Sequence, residues 1–271
     1  MGLRGVFPGR PWISLERFLD LAPLAAVHDE VCLALAQIPV DYTGGSHRSM
    51  GIMPPSRLAE AGVDYGEVIR ALSADDFRAF VSLADDPRAI DAARRTELEF
   101  GEEREVPLSR RQMLWLERRH GVYFPWKVYV ELIPNRWWTE KANPEGKKWN
   151  RTARTFFSRT IELVTTLPFL HVGRCNIMGL AAHDHGTVHR DGEPDDQTAP
   201  DHFITLCPGG EKRLYLWDEP GQEKTPVSGR AYWFNDNDYH GVESDPFFRY
   251  SIRVDGEFHP DFLAMLRAES Q

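Results

Sequence analysis

Phe247-Phe248-Arg249-Tyr250-Ser251-Ile252-Arg253-Val254 reads as a strand with two unlike faces. Arg249, Ser251 and Arg253 fall on one side, and Phe248, Tyr250 and Ile252 on the other. The arginine face suits a polar interior between sheets, and the aromatic face suits packing under helices. Short runs of similar texture precede it: Gly173 to Leu180, Thr187 to Asp191, His202 to Cys207, Arg213 to Trp217 and Gly229 to Phe234. Turn signals such as Pro208-Gly209-Gly210 and Glu219-Pro220-Gly221 separate them. Many short strands at fairly even spacing predict a barrel or jelly roll with helices packed outside.

Further upstream the texture changes. Trp126 to Ile133 alternates as a strand, and a helix is expected from about Thr152 to Leu167, with Phe157, Ile161 and Val164 on one face and Pro168 closing it. Residues 12–100 read as mainly helical. Ser14 is a candidate N-cap for a helix carrying Leu15, Phe18 and Leu19, and Ser73 for one carrying Phe77, Phe80, Val81 and Leu83. Asp41 to Pro55, with its glycines and prolines, reads as a connecting loop. His259-Pro260-Asp261 opens a last helix, with proline at its first position. The expected division is a helical region over 1–105 and a strand-rich domain over 106–271, supported by helices.

Composition narrows the function classes. With 271 residues, 42% of them hydrophobic, the chain can bury one substantial core. No stretch approaches the roughly 18 apolar residues of a membrane span. Three cysteines with no paired spacing, Cys32, Cys175 and Cys207, favour a reducing cytoplasm. The net charge of −9 is concentrated in residues 1–105, where 11 Arg and no Lys stand against 18 acidic residues. A phosphate-tracking surface needs the opposite bias, so no nucleic-acid partner and no membrane partner is expected.

The chemistry is concentrated in His189-Arg190-Asp191 and His240. His-x-Asp/Glu occurs three times, about twice what composition alone gives, so the tripeptide needs context. His28-Asp29-Glu30 falls in a predicted helix, where residues two apart diverge. His259-Pro260-Asp261 serves as a helix start. His189 and Asp191 lie instead in a predicted strand, on one face, with His240 arriving from a distant strand. Two imidazoles and one carboxylate make a facial site for iron(II) with open positions, and Arg249, nine residues after His240, is placed to hold an anionic co-substrate.

At these residues the chain resembles the iron(II)/2-oxoglutarate-dependent oxygenases. The resemblance is carried by Gly229 to Phe234, Asn235-Asp236-Asn237-Asp238-Tyr239-His240 and Arg249 to Asp255. The stretch Gly173 to Leu180 leading to His189-Arg190-Asp191 is similar to the aspartyl/asparaginyl β-hydroxylase branch, and the His240–Arg249 spacing resembles prolyl hydroxylases. It covers roughly residues 150–256. It implies an α+β fold with a double-stranded β-helix core, jelly-roll or cupin-like, plus packed helices and the N-terminal helical region. It implies Fe(II), 2-oxoglutarate and O2, with His189, Asp191 and His240 as metal ligands and Arg249 on the distal carboxylate of 2-oxoglutarate. Arg253, Asn176 and His202 are expected near the co-substrate; His202 falls near the basic position of the β-hydroxylase pattern.

The resemblance further implies hydroxylation of an amino acid, free, carrier-bound or peptidyl, with release of succinate and CO2. Desaturation and ring formation belong to the same chemistry. Asp191 argues against halogenation, which in related enzymes needs the carboxylate absent. Arg174, His183, His185 and Trp138 are candidate substrate contacts, Trp138 in a loop with Arg136, Trp137, Lys141, Lys147 and Lys148 that reads as a lid or as aromatic packing under a basic surface. The N-terminal helical region is a candidate homodimer surface. Two rival readings stand beside this one: a non-oxygenase cupin using His183, His185, His189 and His240, and an inactive binding protein. The kinase-like His189-Arg190-Asp191 string lacks its asparagine, since Asp196 stands there.

Overall fold

The computed structural model describes residues 2–40, 65–100, 106–124, 128–135, 140–191 and 199–269. The expected loop at 41–55 and the residues Arg136, Trp137 and Trp138 lie outside this set. Ten strands are described: β1 (Trp12–Ser14), β2 (Val128–Ile133), β3 (Phe169–Leu180), β4 (Gly186–His189), β5 (Phe203–Leu206), β6 (Leu214–Asp218), β7 (Glu223–Pro226), β8 (Ala231–Phe234), β9 (His240–Val242) and β10 (Arg249–Phe258). The α-helices are α1 (Leu24–Leu35), α2 (Tyr65–Arg70), α3 (Ala74–Ser82), α4 (Arg110–His120), α5 (Arg151–Phe156), α6 (Ser158–Thr165) and α7 (Pro260–Glu269). Among the described residues, no helix is long and apolar enough to cross a membrane.

The strands form a six-stranded sheet in the order β1-β8-β5-β10-β3-β2 and a four-stranded sheet in the order β4-β9-β6-β7. From β3 onward the chain changes sheet at every connection except β6 to β7, an antiparallel arrangement consistent with a jelly-roll core. Strand β10 sits centrally, paired with β3 and β5. Its Tyr250, Ile252 and Val254 are buried in the hydrophobic core. Arg253, on its other face, reaches Asp191 just beyond β4, so the polar face looks across toward the smaller sheet.

Helix signals were followed in part. Ser73 caps α3, accepting from Asp76 N–H at 3.1 Å, and Pro260 opens α7. Ser14 does not start a helix: Trp12–Ser14 is an edge strand whose residues pair with Phe234–Tyr232. The helix expected over 152–167 is two helices broken at Phe157, whose backbone leaves helical geometry at φ −129 and ψ 41. The break lets the Glu30 carboxylate of α1 cap the start of α6. It accepts from Arg159 N–H at 2.7 Å, Thr160 N–H at 2.9 Å and the Thr160 hydroxyl at 2.8 Å, satisfying amides that have no partner within the helix.

Gly173 has a positional role. A Cβ there would meet the Lys141 carbonyl oxygen at 2.2 Å and the Ala142 backbone at 2.6 Å. Only glycine lets the segment carrying Lys141 press onto β3, and Lys141 reaches the functional site.

Candidate metal centre

His189 ends β4 and His240 begins β9, and the two are directly paired across the antiparallel ladder. Their ring centroids lie 4.4 Å apart. Each ring is oriented by its own strand: His189 Nδ1 lies 2.7 Å from Thr187 O and His240 Nδ1 lies 2.9 Å from Asp238 O. A carbonyl only accepts, so both Nδ1 atoms carry the proton and both Nε2 atoms present lone pairs. Burial, together with the neighbouring His189, pushes His240 down to about 4. The ring is therefore neutral near pH 7, the form that binds a metal.

Asp191 falls beyond the end of β4, so the expected strand alternation does not bring it to the histidines. Its N–H donates to Asp236 O at 2.8 Å, which pins the turn after His189. Asp191 Oδ1 then lies 3.5 Å from His189 Nε2 and 3.8 Å from His240 Nε2. The three donor atoms are within 4.8 Å of one another, and this trio is the metal-ligand cluster found among the described residues. Cis donors around a metal with bonds of about 2.1 Å sit about 3 Å apart, so a small inward shift suffices. Burial opposes ionisation of Asp191. The Arg253 guanidinium beside it favours the carboxylate, and the carboxyl lies below its usual range.

The loop Asn235–Tyr239 aims His240. Asn235 Oδ1 accepts from Asn237 N–H at 3.1 Å, and the Asp238 carboxylate takes the N–H groups of Arg4 and Gly5, each at 2.8 Å. The acidic, amide-rich Asn-Asp-Asn-Asp run is thus a self-bonded turn that also ties down the N-terminal segment.

Arg253 donates to Asp191 Oδ2 at 2.9 Å, Asp236 Oδ2 at 2.5 Å and Asp255 Oδ1 at 2.8 Å. Its guanidinium is therefore engaged by protein carboxylates. Arg174 is not at the surface of a substrate pocket but buried against Asp255, at 2.8 and 2.7 Å. Asn176 pairs in register with Arg253, and its amide donates to the Tyr129 hydroxyl at 3.0 Å. Lys141, expected in a loop that is either a lid or a basic surface over aromatic packing, is buried between Asp201 at 2.6 Å and Asp236 at 2.8 Å.

Arg249 opens β10. Its Nε lies 3.5 Å from Asp245 Oδ2, and its guanidinium sits 4.5 Å from the Phe247 ring centroid. The same face of β10 carries Ser251, whose hydroxyl accepts from the buried Lys212 ammonium at 2.8 Å. A lysine just after Pro208-Gly209-Gly210-Glu211 has the sequence signature of a solvated turn, yet Lys212 is buried. His202 is packed elsewhere: its ring stacks on Phe258 and meets the edge of Trp233. His183 is exposed at φ +66. His185 stacks on Tyr123, whose hydroxyl both accepts from His185 N–H and donates to His185 O at 2.8 Å. Neither is in the cluster with His189 and His240.

Two imidazole nitrogens and one carboxylate oxygen, converging from one side, form a donor set suited to a non-haem iron(II) site with open positions. No protein-family profile and no curated protein matches the sequence. Among solved structures, the chain is similar to an oxidoreductase of the 2OG-Fe(II) oxygenase family from Burkholderia pseudomallei, at 12% identity over 48% of this chain and 70% of that one, TM-score 0.30. It is also similar to a viral collagen prolyl hydroxylase from Paramecium Bursaria Chlorella virus-1, solved as its 2OG complex, at 10% identity over 47% and 76%, TM-score 0.26. A third is AviO1 from Streptomyces viridochromogenes, at 12% identity over 55% and 80%, TM-score 0.30. These likenesses are shallow.

Proposed function

We propose that this chain is an Fe(II)/2-oxoglutarate-dependent dioxygenase with a double-stranded β-helix core that hydroxylates a C–H bond of an amino acid or amino-acid-derived substrate. The observation that carries the reading is the convergence of His189 Nε2, His240 Nε2 and Asp191 Oδ1 within 4.8 Å of one another. With iron bound, this class of site couples oxidative decarboxylation of 2-oxoglutarate to succinate and CO2 with transfer of one oxygen atom of O2 to substrate.

The protein's own part is positioning. His189 and His240 each offer Nε2, and Asp191 offers one carboxylate oxygen. The distal carboxylate of the co-substrate is received by Lys212 and Ser251, with Arg249 at the outer edge of the same β10 face. The test of the reading is O2-dependent succinate release over a panel of free amino acids and small peptides, with a mass gain of one oxygen in the product. Decarboxylation with no panel member oxidised would remove the amino-acid assignment, and no decarboxylation by the iron-loaded protein would remove the oxygenase.

Lys212 gives the co-substrate seat a pH signature. Burial pushes its ammonium down to about 7. A bound carboxylate favours the charged form, so affinity for 2-oxoglutarate is full below about pH 7 and falls by up to about tenfold per pH unit above it. Lys212→Met is expected to weaken binding in the acid range and flatten the profile. A wild-type affinity that does not change between about pH 6.5 and 8.5 takes Lys212 out of the seat.

A further inference from the structure

We infer that Arg253 is a positioning residue that commits Asp191 to binding the metal through a single oxygen. This rests on the metal-centre reading above and adds a role for a buried charge network that the reading leaves unused.

The two oxygens of Asp191 are already distinguished. Oδ1 faces both histidine nitrogens, at 3.5 and 3.8 Å, whereas Oδ2 accepts from Arg253 Nη1 at 2.9 Å. A carboxylate free to rotate can bind a cation through both oxygens, and each coordination position taken that way is lost to co-substrate or oxygen. With Oδ2 held, one donor remains.

Arg253 is itself fixed from every side. Its Nε is bound to Asp255 and its Nη2 to Asp236, and its guanidinium carbon lies 3.9 Å from the Phe203 ring centroid. Asp255 is locked in turn by Arg174, and Asp236 by Lys141. Asp236 also accepts the backbone N–H of Asp191 at 2.8 Å. One residue therefore fixes the ligand's main chain directly and its side chain through Arg253. A planar fork holds three carboxylates in fixed, separate directions, whereas the three donors of an ammonium share one atom and rotate freely.

Stability alone does not account for this cluster. It places three cations, Arg174, Arg253 and Lys141, against the four carboxylates of Asp191, Asp201, Asp236 and Asp255. Desolvation of such groups commonly offsets their attraction, and apolar residues of similar volume would stabilise the core as well. What apolar residues cannot do is orient a carboxylate that must also face a metal.

The test uses cobalt(II) alone as probe, added anaerobically to the full chain, and reads both affinity and the visible ligand-field spectrum, which reports coordination number. Arg253→Lys is expected to keep its near-ultraviolet circular dichroism but bind cobalt(II) about 10–100-fold more weakly, with an altered spectrum. Arg253→Lys with wild-type affinity and spectrum overturns the inference. If that variant does not fold, Asp236→Asn decides, since it leaves Arg253 in place but loosens its aim. A weaker, spectrally altered site supports the inference, and an unchanged one overturns it. Failure of the wild-type chain to bind cobalt(II) overturns the metal-centre reading together with this inference, whereas wild-type binding with unchanged variants overturns this inference alone.

Discussion

Replacing Asp191 by Ala is expected to abolish succinate formation while leaving the protein folded. Removal of a group one layer outside a metal typically costs 10–100-fold, and Asp191 supplies one of the three donor atoms itself. Activity should therefore fall below about one hundredth of wild type. The fold should survive, because Arg253 keeps Asp236 and Asp255 and the side chain of Asp191 contributes no apolar packing. Succinate measured by mass spectrometry, beside a thermal melt, checks both halves. Full turnover by the folded Asp191→Ala protein would remove this residue from the site.

Asp255→Ala is expected to have the largest effect on stability. Asp255 is 1% exposed and is the shared partner of Arg174 and Arg253. Its removal leaves two buried guanidinium groups short of a counter-charge, which costs about 3–5 kcal/mol, or roughly 6–20 °C in melting temperature for a chain of this size. The pH dependence follows from the sign of its shift. Burial opposes ionisation of Asp255, but Arg174, Arg253 and Lys141 hold its pKa below the ordinary value. Its contribution is therefore present above about pH 4, the unfolded value, and is lost as pH falls further through the folded one. The gap between wild type and Asp255→Ala should narrow on acidification. A melting temperature within about 2 °C of wild type near pH 7 would show that the pair carries no such weight.

Elements whose causes are local were legible in the sequence. Alternation along 247–254 places Arg249, Ser251 and Arg253 on one face of β10, Ser73 marks the start of α3, and Pro260 with Asp261 marks α7. Elements whose causes are distant were not. Ser14 has the chemistry of a helix cap, yet strand pairing with residues 232–234 decides its conformation. The break at Phe157 is accompanied by a cap from Glu30, which is more than 120 residues away in the chain. β7, Glu223–Pro226, is polar and exposed, so it has no hydrophobic pattern to read.

The same division runs through the site. Residue type and order single out His189, Asp191 and His240, which the structure brings together. Sequence spacing assumed that Asp191 continues β4, whereas a backbone hydrogen bond to Asp236 places it. Charge type suggested surface or ligand-binding duties for Lys141, Arg174 and Arg253. Their burial against carboxylates from four separate segments is a property of the fold, invisible to local pattern.

On the proposed function, His189, Asp191 and His240 hold a ferrous ion that shares its open positions with a 2-oxo acid. Anaerobic addition of iron(II) and 2-oxoglutarate to the wild-type chain tests it most directly. A weak visible charge-transfer band that saturates at one equivalent of each per chain, and is missing from Asp191→Ala, is the expected result. Folded wild-type protein that develops no such band, or an Asp191→Ala variant that develops it unchanged, would mean that these three residues do not hold the iron.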